Sequence, residues 1–391
     1  MRNHSPLIQS SLFLIIGILL IGANLRVPLT SVGALIPFIR EDLAISNTLA
    51  GAITTLPLLA FAFLSPFAPR LARRFGIERT LGIALGLLLL GIVLRSAAGT
   101  SLLFIGTLCI GLAIAVGNVL IPAVVKLRFP LQVGLVTGFY AVAMNVFGAL
   151  GSGMSVPIAN AGFGWKGALA VWGLLTVLAL LLWLPQLTAK ATSNTTNTSH
   201  QSNSLWRSPL AWQVTIFMGC QSLIYYTLIT WLPDIFGAKG YAKSTAGWLV
   251  FLMQLALIPV TFIVPLMAEK FRHQAGMAAL VAGAFIVGLT GLLLPASVFD
   301  FVWVVLLGAA GGGAFGLSMM FFTLRTQSPR QAAELSGMAQ SAGYLFAATG
   351  PILVGALQDV SGNWLTPILL LLGIALLVLL NGIAAGRERW V

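Results

Sequence analysis

Asn24-Leu25-Arg26-Val27-Pro28-Leu29-Thr30 lies in the middle of the first long apolar segment, which runs from Leu12 to Phe38. The segment reads as membrane-spanning, yet it carries an arginine about half-way along. A charge at the centre of a membrane helix costs roughly 2.5–3.5 kcal/mol on insertion scales. Two residues later, Pro28 leaves the carbonyl of Asn24 without its helical partner. A charge and a lost hydrogen bond at one depth are tolerated where the helix faces protein or a watery cavity. Two readings follow: an arginine buried for assembly, tied to carbonyls or helix ends, or an arginine that binds a small solute. The second is the working expectation.

The rest of the chain agrees with a membrane solvent. It has 391 residues, 58% hydrophobic and only 8% charged, with mean hydropathy +0.99, whereas soluble domains carry about a quarter charged residues. Apolar runs of about 20 residues predict an all-α integral membrane protein with twelve transmembrane helices. Their expected limits are 12–38, 46–70, 79–97, 101–126, 132–160, 166–185, 209–236, 244–268, 275–295, 299–324, 331–357 and 364–385. Met1-Arg2-Asn3-His4 before an apolar run imitates a signal peptide. Continuation of the apolar stretch past Ala23 argues against cleavage there. The polar run from Thr188 to Ser204 is rich in Ser, Thr and Asn, and such a composition buries nothing and serves as a flexible linker. The expected division is therefore an N-terminal half over 1–187, a linker over 188–207 and a C-terminal half over 208–391.

The formal charge of +12 suggests nucleic acid until its placement is examined. With the N-terminus inside, fifteen of the 21 basic residues fall on the cytoplasmic side and five (Arg40, Arg95, Lys166, Lys239 and Lys243) on the outer side. That is a positive-inside pattern with both termini cytoplasmic, and it removes the nucleic-acid reading. Arg26 is the basic residue left over, and all nine acidic residues are placed in loops or at helix ends, so no buried carboxylate is expected to pair with it. Cys109 and Cys220 lie in apolar segments and His4, His200 and His273 in the tail and loops. No disulfide framework, metal site or cofactor motif is expected. The lack of a buried nucleophile-and-base pair argues against an enzyme.

The two halves repeat. Ala50-Gly51, Pro69, Ala72 and Phe75 match Ala246-Gly247, Pro265, Ala268 and Phe271 at an offset of 196, and Gly117, Pro130, Gly138, Gly151 and Trp165 match Gly316, Pro329, Gly337, Gly350 and Trp364 at 199. Two six-helix halves in a parallel repeat are the architecture of major facilitator transporters, with a site near the midplane between repeats. The detail of the chain also resembles that superfamily's cyanate permease family, and more closely its 2-nitroimidazole transporter branch. The residues concerned include Asn24-Leu25-Arg26 with Leu29-Thr30-Ser31-Val32-Gly33, Thr54-Thr55-Leu56-Pro57-Leu58-Leu59-Ala60-Phe61-Ala62, Phe163-Gly164-Trp165 and Trp206-Arg207-Ser208-Pro209-Leu210-Ala211-Trp212. The run Leu335-Ser336-Gly337-Met338-Ala339-Gln340-Ser341 continues the likeness. The resemblance implies a secondary transporter in the inner membrane, working by alternating access on a small planar solute, a cyanate-like anion or a 2-nitroimidazole. A broader drug-efflux transporter, or a membrane transceptor, is the alternative. Small-molecule substrate and lipid bilayer are the expected partners, and a monomer the expected state.

One departure stands out. After helix two the superfamily usually has Gly-x-Leu-Ala-Asp-Arg-x-Gly-Arg-Arg, and here Arg73 occupies the place of the acid. That puts the usual acid-to-helix latch on the cytoplasmic face in doubt.

In the resembled fold, helices 1, 4, 7 and 10 line the cavity, flanked by 2, 5, 8 and 11. Polar residues at mid-depth then become candidates for substrate binding: Arg26, Asn24, Thr30, Asn118, Asn145, Gln221, Tyr225, Gln254, Gln340 and Tyr344. Arg26 and Thr30 share a helix face, as do Gln221 with Tyr225 and Gln340 with Tyr344, whereas Asn24 lies off the face of Arg26. For each lone Asn or Gln the competing reading is interhelical glue, worth roughly 0.6 kcal/mol. Tyr226, Trp231 and Trp248 are expected to pack or anchor, and Gly311-Gly312-Gly313 to be a packing surface rather than a phosphate loop.

Overall fold

A computed structural model describes residues 6–33, 35–45, 47–97, 99–188 and 205–391. The low-complexity part of the linker therefore lies outside the described residues. Fifteen helices carry the described chain: α1 (Pro6–Gly33), α2 (Ile36–Leu43), α3 (Asn47–Leu64), α4 (Ala68–Phe75), α5 (Ile77–Ser96), α6 (Thr100–Arg128), α7 (Val133–Ile158) and α8 (Gly164–Ala170). They continue with α9 (Trp172–Thr188), α10 (Pro209–Ala238), α11 (Lys243–Lys270), α12 (Ala275–Leu292), α13 (Asp300–Leu324), α14 (Pro329–Ser361) and α15 (Leu365–Ala385).

A helix or helix pair answers each of the twelve expected spans. The first ends earlier than its hydropathy does: α1 stops at Gly33, and α2, with Pro37 in its first turn, carries Arg40, Glu41 and Asp42. Pro28 does not end α1, which stays helical through it. The second span is a pair, with α3 and α4 bent by 60° where Ser65-Pro66-Phe67 removes a helical donor. In α4, Ala68, Pro69 and Ala72 are buried while Arg70, Arg73 and Arg74 stay exposed. The fifth and sixth spans are joined by a π-helical turn, Ala159–Phe163, in which Gly162 adopts φ 99°, a conformation open to glycine at little cost.

By packing, the chain divides into two units. One comprises Met1–Val124 with Phe139–Ser202; the other comprises Val125–Gly138 with Asn203–Val391. In the first unit, α1 and α7 run side by side in the same direction. A Cβ on Gly22 would lie 2.8 Å from Tyr140 Cδ2, one on Gly148 2.6 Å from Arg26 Cγ, and one on Gly151 2.9 Å from Val27 Cγ2. Glycine at these points lets the two helices touch nearly backbone to backbone. Arg95, counted above among the outer-loop cations, is instead 1% exposed in the last turn of α5, so Arg26 is not alone as a cation inside a span. At the end of the span, Asp42 accepts from Trp165 Nε1 at 3.0 Å and pairs with Lys166 at 3.3 Å, and both contacts hold its carboxyl below the usual range.

In the second unit the triple glycine belongs to a packing ridge. A Cβ on Gly308 would lie 2.1 Å from the Met253 carbonyl and one on Gly312 2.3 Å from that of Leu257, so α13 rests directly on α11. The expectation of no buried carboxylate fails at Asp300, 2% exposed at the start of α13. Lys239 Nζ (2.7 Å), the Tyr241 hydroxyl (2.8 Å) and the Ser297 amide (3.1 Å) all donate to it, which is how a buried charge is made tolerable. Its hydrogen bond from Tyr241 raises the pKa of that phenol. Arg325, 3% exposed just beyond α13, donates to the carbonyl of Ala385 (2.6 Å), the carbonyl of Gly386 (3.1 Å) and the side chain of Gln274. Lys126, its counterpart at the 199-residue offset, donates to the carbonyls of Thr323 and Thr326. The acid missing at Arg73 reappears at the 196-residue equivalent, Glu269, which accepts from the Gly134 amide at 3.0 Å in the first turn of α7. An acid at a helix N-terminus is favourably placed.

Candidate functional site

On α1, Gly22, Arg26 and Thr30 follow one another at four-residue intervals along the face that meets α7. Because Gly148 has no side chain, the stem of Arg26 lies across it. The Thr30 hydroxyl donates to the Gly148 carbonyl at 2.7 Å and also approaches the Arg26 carbonyl at 3.3 Å. Asn145, one turn before Gly148 on α7, donates to the Ala141 carbonyl at 2.8 Å and remains half-buried. Tyr140, 1% exposed, lies within electrostatic reach of the Arg26 charge. Arg26 itself is partly exposed. The first unit thus gathers Arg26, Thr30 and Asn145, and adds Tyr140, which its aromatic, apolar character had hidden among core residues.

Asn24 is turned elsewhere. Fully buried, it donates to the Leu20 carbonyl at 2.8 Å and accepts the Thr176 hydroxyl of α9 at 2.6 Å. This is the interhelical-glue arrangement, and it separates Asn24 from the Arg26 face. Asn118 is half-buried in α6.

In the second unit, α10 and α14 approach closely where Gly219 faces Gly343; a Cβ on Gly219 would lie 3.0 Å from Gly343 Cα. Around that contact Tyr225 meets Tyr226 edge-on with ring centroids 5.5 Å apart, and Tyr226 meets Tyr344 at 6.5 Å. Gly311 of α13 adjoins Tyr225, since its Cβ would lie 3.6 Å from Tyr225 Cδ2. Gln221 donates to Ser222 at 2.8 Å and Gln340 to Ser336 at 2.9 Å, both side chains deeply buried. Tyr226, read from sequence as packing, is the middle ring of this cluster. Gln254 is half-buried on α11. The unit therefore offers an aromatic group of Tyr225, Tyr226 and Tyr344, with Gln221 and Gln340 one helical turn from Tyr225 and Tyr344.

Helices of this order, number and apolarity are those of a multi-pass membrane protein. The chain belongs to the Major Facilitator Superfamily, whose family model matches residues 12–351. It is 45% identical to the 2-nitroimidazole transporter of Escherichia coli (strain K12) over 97% of each chain. It is 29% identical to the cyanate transport protein CynX of the same organism, over 89% of this chain and 90% of that one. The fold matches that of the proton:xylose symporter XylE with TM-score 0.75, covering 100% of this chain and 98% of the other at 15% sequence identity.

Proposed function

We propose that this chain moves a small planar solute, 2-nitroimidazole-like or cyanate-like, across the membrane by alternating access, and that Arg26 anchors it. The observation that carries the reading is Arg26 itself: a partly exposed arginine inside a span, its stem laid across Gly148. Its planar fork matches two oxygens of a nitro group or the end of a linear anion. Thr30, Asn145 and Asn118 are proposed to assist from the first unit. Tyr225, Tyr344, Gln221, Gln340 and Gln254 are proposed as solute contacts in the second, where the tyrosine cluster suits a flat ring. Asn24, committed to Thr176, is left out of the binding set. The names of the relatives at 45% and 29% identity support this choice of solute class. We further propose a monomer with both termini cytoplasmic and two repeat halves, 1–187 and 208–391, joined by a tether.

Flux of 2-nitroimidazole and of cyanate into proteoliposomes tests the proposal. Arg26→Lys keeps the charge and loses the fork, so affinity should fall strongly if recognition is bidentate. Arg26→Ala should abolish binding while the protein still folds. A well-folded alanine variant with native affinity refutes the assignment.

A further inference from the structure

The first unit holds a second arginine inside a span, and this one is buried. Arg95 is 1% exposed. Its Nη1 donates to the Pro28 carbonyl of α1 at 2.6 Å, while Nε and Nη2 have no hydrogen-bond partner. Those two atoms form one edge of the guanidinium, whose N–H bonds point the same way and grip an acceptor from the side. The edge left unmet is therefore the one shaped for an anion. The hydroxyls of Ser31, on the turn of α1 that follows Pro28, and of Ser96, next in chain on α5, are buried and unpartnered as well.

A buried cation costs several kcal/mol unless it is paired. Lys166–Asp42, Lys239–Asp300 and Arg330–Glu334 are ion pairs among the described residues, and none of them takes in Arg95. Water satisfies donors without cancelling charge. The backbones of α5 and α6 pack closely at this level, where a Cβ on Gly106 would lie 2.4 Å from the Arg95 amide nitrogen and 2.5 Å from the Gly91 carbonyl. Two unmet donors on one guanidinium edge suit a compact anion.

We infer that Arg95, through Nε and Nη2 and with the Ser31 and Ser96 hydroxyls, forms a site for one halide-sized monovalent anion, separate from the solute anchor at Arg26. The ion neutralises Arg95 while Nη1 holds the Pro28 carbonyl, so occupancy steadies the segment of α1 that presents Arg26.

The test is thermal unfolding of the purified full chain in chloride, bromide or gluconate with the same cation and ionic strength. Halide should raise Tm saturably by a few degrees over gluconate. Arg95→Met should lose the difference, and Arg26→Ala should keep it, which separates this site from the proposed solute site. If Arg95→Met does not accumulate, the Ser31→Ala, Ser96→Ala pair takes its place and should shift the midpoint of the halide titration several-fold upward. Bromide anomalous scattering should place an ion at the Arg95 fork. Equal Tm in halide and gluconate, a halide response unchanged in the Arg95 or serine variants, a response lost in Arg26→Ala, or a water at the fork in bromide crystals would each overturn the inference.

Discussion

Gly148→Ala tests how α7 positions the solute anchor. The new Cβ would stand 2.6 Å from Arg26 Cγ, 3.4 Å from Cβ and 3.8 Å from Cδ. Carbon atoms sit about 3.5–4.0 Å apart at contact, so the arginine stem must move by about 1 Å. The stem is flexible enough to yield by changing rotamer, which places the stability cost at the low end of the roughly 1–3 kcal/mol usual for overpacking. The guanidinium moves with the stem, and a 1 Å misplacement of a positioning group costs on the order of 100-fold. Solute affinity and flux should therefore fall by about 10- to 100-fold in a protein that still folds. Gly153→Ala on the same helix is the control, since a Cβ there meets nothing within 4 Å; it should transport normally. Gly151→Ala presses on the Val27 carbonyl at 3.1 Å as well as on Thr30, and backbone yields less, so it should lose stability along with flux. Binding by tryptophan quenching, flux in proteoliposomes and Tm are measured on all three. A folded Gly148→Ala protein with native affinity and rate would refute the idea that α7 sets the position of Arg26.

Three further outcomes follow from contacts already described. Asn24→Ala breaks the 2.6 Å bond from Thr176 and should lower Tm by an amount matching about 0.5–2 kcal/mol while solute affinity stays native; a selective loss of affinity would return Asn24 to the site. Arg325→Met strips Gln274, Ala385 and Gly386 of their buried donor and should cost about 1–3 kcal/mol. It would show as poor accumulation in the membrane, with Arg325→Lys recovering part of it; normal accumulation of the methionine variant contradicts the network. The hydrogen bonds from Trp165 and Lys166 lower the Asp42 pKa, so their stabilisation is present above the unfolded carboxyl value of about 3.9 and is lost only as pH falls through the lower folded value. Trp165 emission should be flat from about pH 5 to 8, and a titration step within that window would overturn the assignment.

Much of this architecture was legible from composition alone, because lipid imposes one rule on backbone polar groups and helices obey it. Runs of about 20 apolar residues pointed to membrane-spanning helices, and offsets of 196 and 199 residues pointed to a repeat of two halves. Arg26 stood out for the same reason: a charge in an apolar run has no local explanation. The four-residue spacing from Arg26 to Thr30 correctly put both on one face, and Asn24 off it. What spacing could not supply was partners. Arg95 looked like a loop cation because it sits at the end of a run, yet α5, α6 and the carbonyl of Pro28 enclose it. Asp300 looked like a surface acid for the same reason until Lys239 and Tyr241 closed on it. Tyr140 and Tyr226 were indistinguishable from packing residues until neighbouring helices gave their rings particular company. Sequence determines which side chains lie within the membrane, since hydropathy is a local property. Whether such a side chain is glue, anchor or buried counter-charge is decided by the helix that packs against it, and only the tertiary structure brings that helix near.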